Sequence, residues 1–293
     1  MEIGVNAHLM ENKKLTWDVR ANISFNRNEI TSLGLPPSQF GTENLVAFLG
    51  GQVSGGNQFK VPANIFIEGR PAALFWGYQT NGIISNADDL AAAPTYQNTT
   101  VQLGDVYYVD QNGDGNINEA DLTILGDPNP KFNFGFGTDL AYNRFSMSMF
   151  FNGIYDFDLA NGNLSREAFA AGNTSENVRS EAYFNAWSEN NPSGTYPRIG
   201  YINPGDFTDR MVEDGSFLRL SFVSLGYSLP AGVINGVESI KFYVSGQNLW
   251  LLTNYSGFDP EVDSFSFDPT RRGIDFNAFP NQRTFTFGLN AAF

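Results

Sequence analysis

The 293-residue chain has no cysteine and a single histidine, His8. No disulfide can staple it, and a Cys–His or Ser–His nucleophile has almost no material to be built from. Basic residues are few. Against 31 Asp and Glu stand 17 Lys and Arg, giving a formal net charge of −14. That leaves no basic stripe for nucleic acid and disfavours attraction to an anionic lipid surface. No run of about eighteen apolar residues occurs, so a membrane-spanning helix is excluded. The mean hydropathy of −0.24 suits a soluble protein. It suits a β-barrel equally, because lumen-facing polar side chains cancel lipid-facing ones in the average. No basic, then apolar, leader is visible either: Met1-Glu2-Ile3-Gly4-Val5 runs straight into a strand pattern. A barrel with this sequence is therefore expected to be the C-terminal part of something longer.

What is abundant is Phe (27), Tyr (12) and Gly (30), a composition that favours strands and turns. The final residues carry the clearest pattern. Side chains alternate across a strand, so Phe285, Phe287, Leu289, Ala291 and Phe293 form one greasy stripe, with Thr286, Gly288, Asn290 and Ala292 on the other face. A strand of about nine to eleven residues, apolar on one side, is enough to cross a bilayer in a barrel. The same pattern fits an edge strand of a soluble sandwich, so the rest of the chain has to decide.

Strand patterns recur at 2–11 and 14–26, around Asn12-Lys13-Lys14, and at 60–67 and 71–80, around Glu68-Gly69-Arg70-Pro71. A third hairpin joins 132–142 to 145–152 through Asn143-Arg144. Two further strands, 217–229 and 240–249, precede the last one. Residues 176–188 have helical spacing at Val178, Ala182 and Trp187. The count is about nine strands, with short turns alternating with long connections, as in outer-membrane barrels with short periplasmic turns and long extracellular loops. Tracing back from a periplasmic C-terminus puts every short turn on the same side. An odd count is expected if upstream strands are missing.

Seven stretches in order resemble the SusC/RagA-type TonB-dependent outer-membrane transporters of the Bacteroidetes. They are Gly104 through Gly115 (GDVYYVDQNGDG), Gly126 through Phe132 (GDPNPKF), Trp187 with Tyr196-Pro197-Arg198, Phe217 through Leu220 with Leu225 through Pro230, Ser245 through Trp250, Gly257 through Glu261, and the terminal strand. The resemblance covers essentially the whole chain. It implies an all-β fold: the C-terminal portion of an antiparallel transmembrane β-barrel of about 22 strands, with plug and TonB-contacting segment absent, so that residues 1–293 supply wall and outer loops only. It further implies outer-membrane localisation and TonB-dependent nutrient uptake under a SusD-like surface lipoprotein, with a glycan, most often an oligosaccharide, or a peptide as cargo. Outer-membrane lipid and the barrel assembly machinery would be further partners, the latter through Phe285, Phe287, Leu289 and Phe293.

One segment carries its own chemistry. Asp110, Asn112 and Asp114 occupy positions 1, 3 and 5 of a twelve-residue calcium loop. Gly115 takes the turn position, Asn116 would offer its carbonyl, and Asn118 could act through water. Position 12 is Asp121 in place of the usual Glu, which makes bidentate reach less certain. Hard oxygen donors suit Ca²⁺ in a structural role, although Asx- and Gly-rich turns form without metal. Other candidates are Trp187, Tyr196, Arg198, Trp250 and Tyr255, which lie in or beside outer loops and would stack on cargo or belong to an interfacial girdle. Arg198 and Arg219 are expected in the lumen. His8 reads as a lumen or surface residue. Asp259, Glu261, Asp263, Asp268 and Asp275 read as a solvated acidic loop, though they would supply the carboxylate pair of a β-rich glycosidase. Two alternatives thus stand beside the transporter: a secreted all-β calcium-dependent carbohydrate-binding module, and that glycosidase. The transporter reading makes the chain a non-enzyme.

Overall fold

A computed structural model describes residues 1–53, 62–164, 178–201, 205–230 and 232–293. Seven long strands form one antiparallel sheet: β1 (Glu2–Glu11), β2 (Leu15–Ser24), β3 (Phe132–Tyr142), β4 (Phe145–Tyr155), β5 (Phe217–Ser228), β6 (Ser239–Thr253) and β7 (Thr284–Ala292). They lie side by side in chain order, and the sheet is open between β1 and β7. The turns after β1, β3 and β5 stand at one end, and the three long connections stand at the other. Asn143 adopts φ 54° in the two-residue turn, a left-handed backbone that Asn tolerates. Bulges after His8, Phe150 and Leu220 shift the register locally.

Register assigns the two faces, since directly paired residues share one. Ile23 pairs Phe134, Phe136 pairs Phe151, Leu140 pairs Met147, and Tyr142 pairs Phe145. Met147 continues to Leu225, Leu225 to Val244, and Val244 to Phe287. This continuous apolar face packs against nothing: Phe136, Phe145, Phe285 and Leu289 are exposed, and Phe287 is 82% exposed. The opposite face carries Asp18, Arg20, Asp139, Ser148, Asn152, Arg219, Ser224, Ser245 and Asn290. There Arg20 Nη1 binds Asp139 Oδ2 at 2.9 Å, and His8 Nδ1 lies 2.5 Å from Asp18 Oδ1. Gly288 leaves room on this face for the Tyr243 ring, which a Cβ would meet at about 2.1 Å.

The hairpin expected at 60–67 and 71–80 is not part of the wall. Asn64–Ile67 and Leu74–Tyr78 are the middle of a separate sheet, flanked by Ala47–Leu49 and Leu122–Gly126. Residues 60–61 lie outside the described residues. Every residue of both strands is buried, so they run through a core and expose neither face. Among the described residues the wall is therefore seven strands, two fewer than the pattern suggested. The expected helix is one turn, Ser180–Phe184; residues 176–177 lie outside the described residues, and Trp187 falls beyond it.

The long connections fold together into a cap at one end of the wall. Val53, Phe75, Ala160, Ala182, Phe207 and Ile274, drawn from all three, share one apolar cluster. Tyr78 N–H donates to the Phe207 carbonyl, and Ala160 N–H to that of Gly273. A further cluster of Phe157, Leu159, Phe217 and Tyr255 seats the cap on the polar face of the wall, beside Ile154 and Leu251.

Candidate functional site

Where wall and cap meet, Arg219 is buried on the inner face of β5. Its Nη2 binds Asp259 Oδ1 at 2.5 Å, and its Nε stands 3.0 Å from Glu261 Oε2. Asn152 Nδ2 also reaches Glu261, and the other Asp259 oxygen accepts the Asn281 N–H. An uncompensated Arg buried here would cost several kcal/mol, so the last connection is tied down at Asp259. This corrects the solvated-loop reading. Asp259 and Asp275 are 2% exposed, and Asp275 accepts the Tyr255 hydroxyl at 2.7 Å. Arg219 does face the lumen. With Asp259 held by an arginine and Asp268 by Arg271, the carboxylates serve as structural ties.

The 110–121 loop is a nest of Asx turns. Asp110 accepts the amides of Gly113 and Gly115 at 2.7 Å each, Asn112 accepts that of Asp114, and Asp114 that of Asn116. Burial pushes the Asp110 carboxyl up, but the Gly115 and Gly113 amides outweigh it and hold it below the usual carboxylate range. Asp121 is wholly buried, and its two oxygens accept the amides of Gln111 and Asn118. Asn118 Oδ1 caps the short helical turn Glu119–Asp121 through Ala120 N–H, and its amide donates to the Asn116 carbonyl. Asp110, Asn112 and Asp114 remain on the exposed side. Among the described residues no three acidic or histidine side chains are gathered as a metal site.

The five aromatic and basic candidates separate. Trp187 is buried, donating its indole N–H to the Ser85 carbonyl at 3.1 Å, and Tyr255 is buried with Asp275. Both are core residues. Trp250 pairs Leu220 on the outer face of β6 and is 45% exposed. Tyr196 is half-buried against the shared cap core. Arg198 binds Asp105 at 2.9 Å through Nε and borders a cap cavity of about 420 Å³, also lined by Tyr96, Gln97, Gln102 and Tyr201. Sequence reasoning missed Tyr96, whose hydroxyl binds Asp206 at 2.7 Å, as does that of Tyr108 at 3.2 Å. Burial pushes the phenols of Tyr108 and Tyr201 up, with Asp206 nearby adding to it. Of these tyrosines only Tyr108 lies in the GDVYYVD stretch; Tyr96 and Tyr201 carried no signal in the sequence.

A sheet with an exposed apolar face, a polar and ion-paired opposite face, and all long connections at one end is a transmembrane β-barrel wall. No helix of the described residues is long and apolar enough to cross a membrane. No protein-family model matches the chain. It is 32% identical over 298 residues to the TonB-dependent receptor P3 of Formosa agariphila, and 29% identical over 305 residues to the TonB-dependent receptor SusC of Bacteroides thetaiotaomicron. These alignments take in 100% of this chain but only 28% and 26% of the respective relatives. The fold matches that of the RagAB peptide transporter, with a TM-score of 0.72 and 21% identity over 98% of this chain and 28% of that one. The chain belongs to the SusC/RagA-type TonB-dependent receptors. These relatives are receptors and not enzymes, which removes the glycosidase alternative, and the unpacked apolar face disfavours the secreted module.

Proposed function

We propose that this chain supplies wall strands and outer loops to a TonB-dependent importer in the bacterial outer membrane. The short turns face the periplasm and the cap faces outward. Its lumen side passes an oligosaccharide, delivered under a SusD-like lipoprotein and released at the expense of TonB. The barrel assembly machinery inserts it, reading Phe285, Phe287, Leu289 and Phe293. The observation that carries this reading is the paired apolar row from Trp17 through Leu140, Met147, Leu225 and Val244 to Phe287, part of a sheet face on which Trp17, Leu225 and Phe287 stand exposed. Cargo contact is assigned to the cavity at Arg198 and Tyr96, where phenols and amides line one hollow.

Uptake of labelled oligosaccharides and of labelled peptides by cells carrying the natural full-length protein tests this, with and without TonB. Oligosaccharide uptake that requires TonB supports the reading. Peptide uptake alone overturns the cargo, and a monomer folded in detergent-free buffer overturns the barrel.

Calcium is a separate part of the proposal. Asp110, Asn112 and Asp114 present hard oxygens on the open side of the loop, with the Asn116 carbonyl beside them, while Asn118 and Asp121 close it by hydrogen bonds. The ion would pin the loop and do no chemistry. Calcium should raise the unfolding temperature of the cap in wild type and not in Asp110→Ala; a wild type indifferent to calcium and chelator removes the ion from the account.

A further inference from the structure

The outer face of the wall is not uniform. Near the short-turn end a hollow of about 560 Å³ opens between β3, β4, β5, β6 and β7. Its sides are apolar: Tyr142, Phe145, Met147, Leu225, Phe242 and Val244 among them. Phe145 and Tyr227 pack at 4.8 Å between ring centroids at its rim. Beside it stand Lys13, Lys14 and Arg144, in turns that touch, since Asn143 N–H donates to the Lys14 carbonyl at 2.7 Å. Arg144 lies in sequence between two lining residues, Tyr142 and Phe145. None of the three cations makes an ion pair or a side-chain hydrogen bond to a described residue. Of the carboxylates at that end, Glu11 is engaged with His8 at 3.2 Å and Glu238 stands in the neighbouring turn.

We infer that this end of the wall holds one anionic phospholipid of the inner leaflet, its acyl chain in the hollow and its phosphate on Arg144 and Lys14. The inference rests on the barrel reading and goes beyond it. A lipid-facing wall needs no hollow and no unpaired cations. Together, an apolar slot, an aromatic rim and a basic edge match the three zones of a phospholipid in order: chain, interface and headgroup. The charge argument also reverses locally what the net charge of −14 implies for the whole chain. The excess of carboxylates belongs mostly to the cap and lumen side, and the three turn-tip cations are left for the leaflet.

Native mass spectrometry of the natural full-length protein from nanodiscs containing phosphatidylglycerol and phosphatidylethanolamine tests this. Wild type should keep one phosphatidylglycerol through detergent exchange. Lys14→Glu with Arg144→Glu should weaken retention about tenfold or more, and Val244→Trp, which fills the hollow, should displace the lipid while heat-modifiable migration shows the barrel intact. Retention unchanged in both variants, or equal retention of the zwitterionic lipid, overturns the inference. Failure of wild type to enter nanodiscs at all would sink the barrel reading instead.

Discussion

In the wall, Phe136, Phe145, Phe285 and Phe287 stand exposed; in the cap, Phe75 and Phe207 are wholly buried. The same residue type serves two solvents. Phe75 and Phe207 are stabilised by leaving water for a packed core. A wall aromatic has no core to enter and is stabilised only where acyl chains replace water outside. The polar groups invert in step: the wall places Arg20, Asp139 and Arg219 inward, whereas the cap keeps Asp110, Asn112 and Asp114 at its surface. Each region is an ordinary solution for its own surroundings, and Arg219 with Asp259 marks the join.

The comparison is broken most severely by alkali. Tyr108 and Tyr201 ionise harder in the fold than in the unfolded chain, because burial disfavours the phenolate. Stability from a raised pKa is complete below the unfolded value of about 10 and is lost as pH climbs beyond it. The loss approaches about 1.4 kcal/mol per pH unit for each tyrosine. Between pH 10 and 12 the cap should unfold while the wall persists, seen as loss of amide protection in the cap alone. Simultaneous loss in both regions would mean that they are one cooperative unit. Phe75→Ala comes next, costing about 3–5 kcal/mol of cap stability, measured by denaturant titration with proteolysis of the cap as readout. The wall strands should stay protected in bilayers.

The wall was legible because its period is two and its faces differ. Met147, Met149 and Phe151 alternate with Ser146, Ser148 and Asn152, and the structure keeps that alternation strand by strand. The hairpin at 64–78 misled because Ile65-Phe66-Ile67 and Leu74-Phe75-Trp76 are continuous apolar runs, the mark of strands buried on both sides. Removing two consecutive strands leaves the up-and-down phase of the others unchanged, so the segregation of short turns and long connections survived the miscount. The site was less legible. Pairing of Arg219 with Asp259, forty residues on, depends on the last connection folding back over the lumen side, and no local pattern encodes that. Trp187 and Tyr255 looked like exposed loop aromatics because nothing in their neighbourhoods reveals that three connections share one core.

A charge on the outer face sharpens the comparison next. Phe136→Arg, at mid-strand on β3, should cost about 2–4 kcal/mol of folding free energy in vesicles, by reversible denaturant titration. Ser148→Arg, facing the lumen one strand away, should cost well under half of that. Equal costs would mean that both faces meet the same solvent, and the assignment of inside and outside would fall.

The smallest effect tests whether the 110–121 loop belongs to the cap's fold irrespective of any ion. Asn118 caps the turn Glu119–Asp121, and Asp121 reciprocates by accepting the Asn118 amide at 2.8 Å. Asn118→Ala removes one half of that reciprocal pair and should cost about 1 kcal/mol, read as a lowered cap midpoint in the presence of chelator. Asn112→Ala, on the open side of the same loop, loses an exposed Asx turn and an exposed side-chain bond to Asp114 and should leave that midpoint nearly unchanged without calcium. If the two variants behave alike in chelator, the closing bonds do not hold the loop. If Asn112→Ala departs from wild type only when calcium is added, the open side is where the ion binds and the closed side is where the chain binds itself.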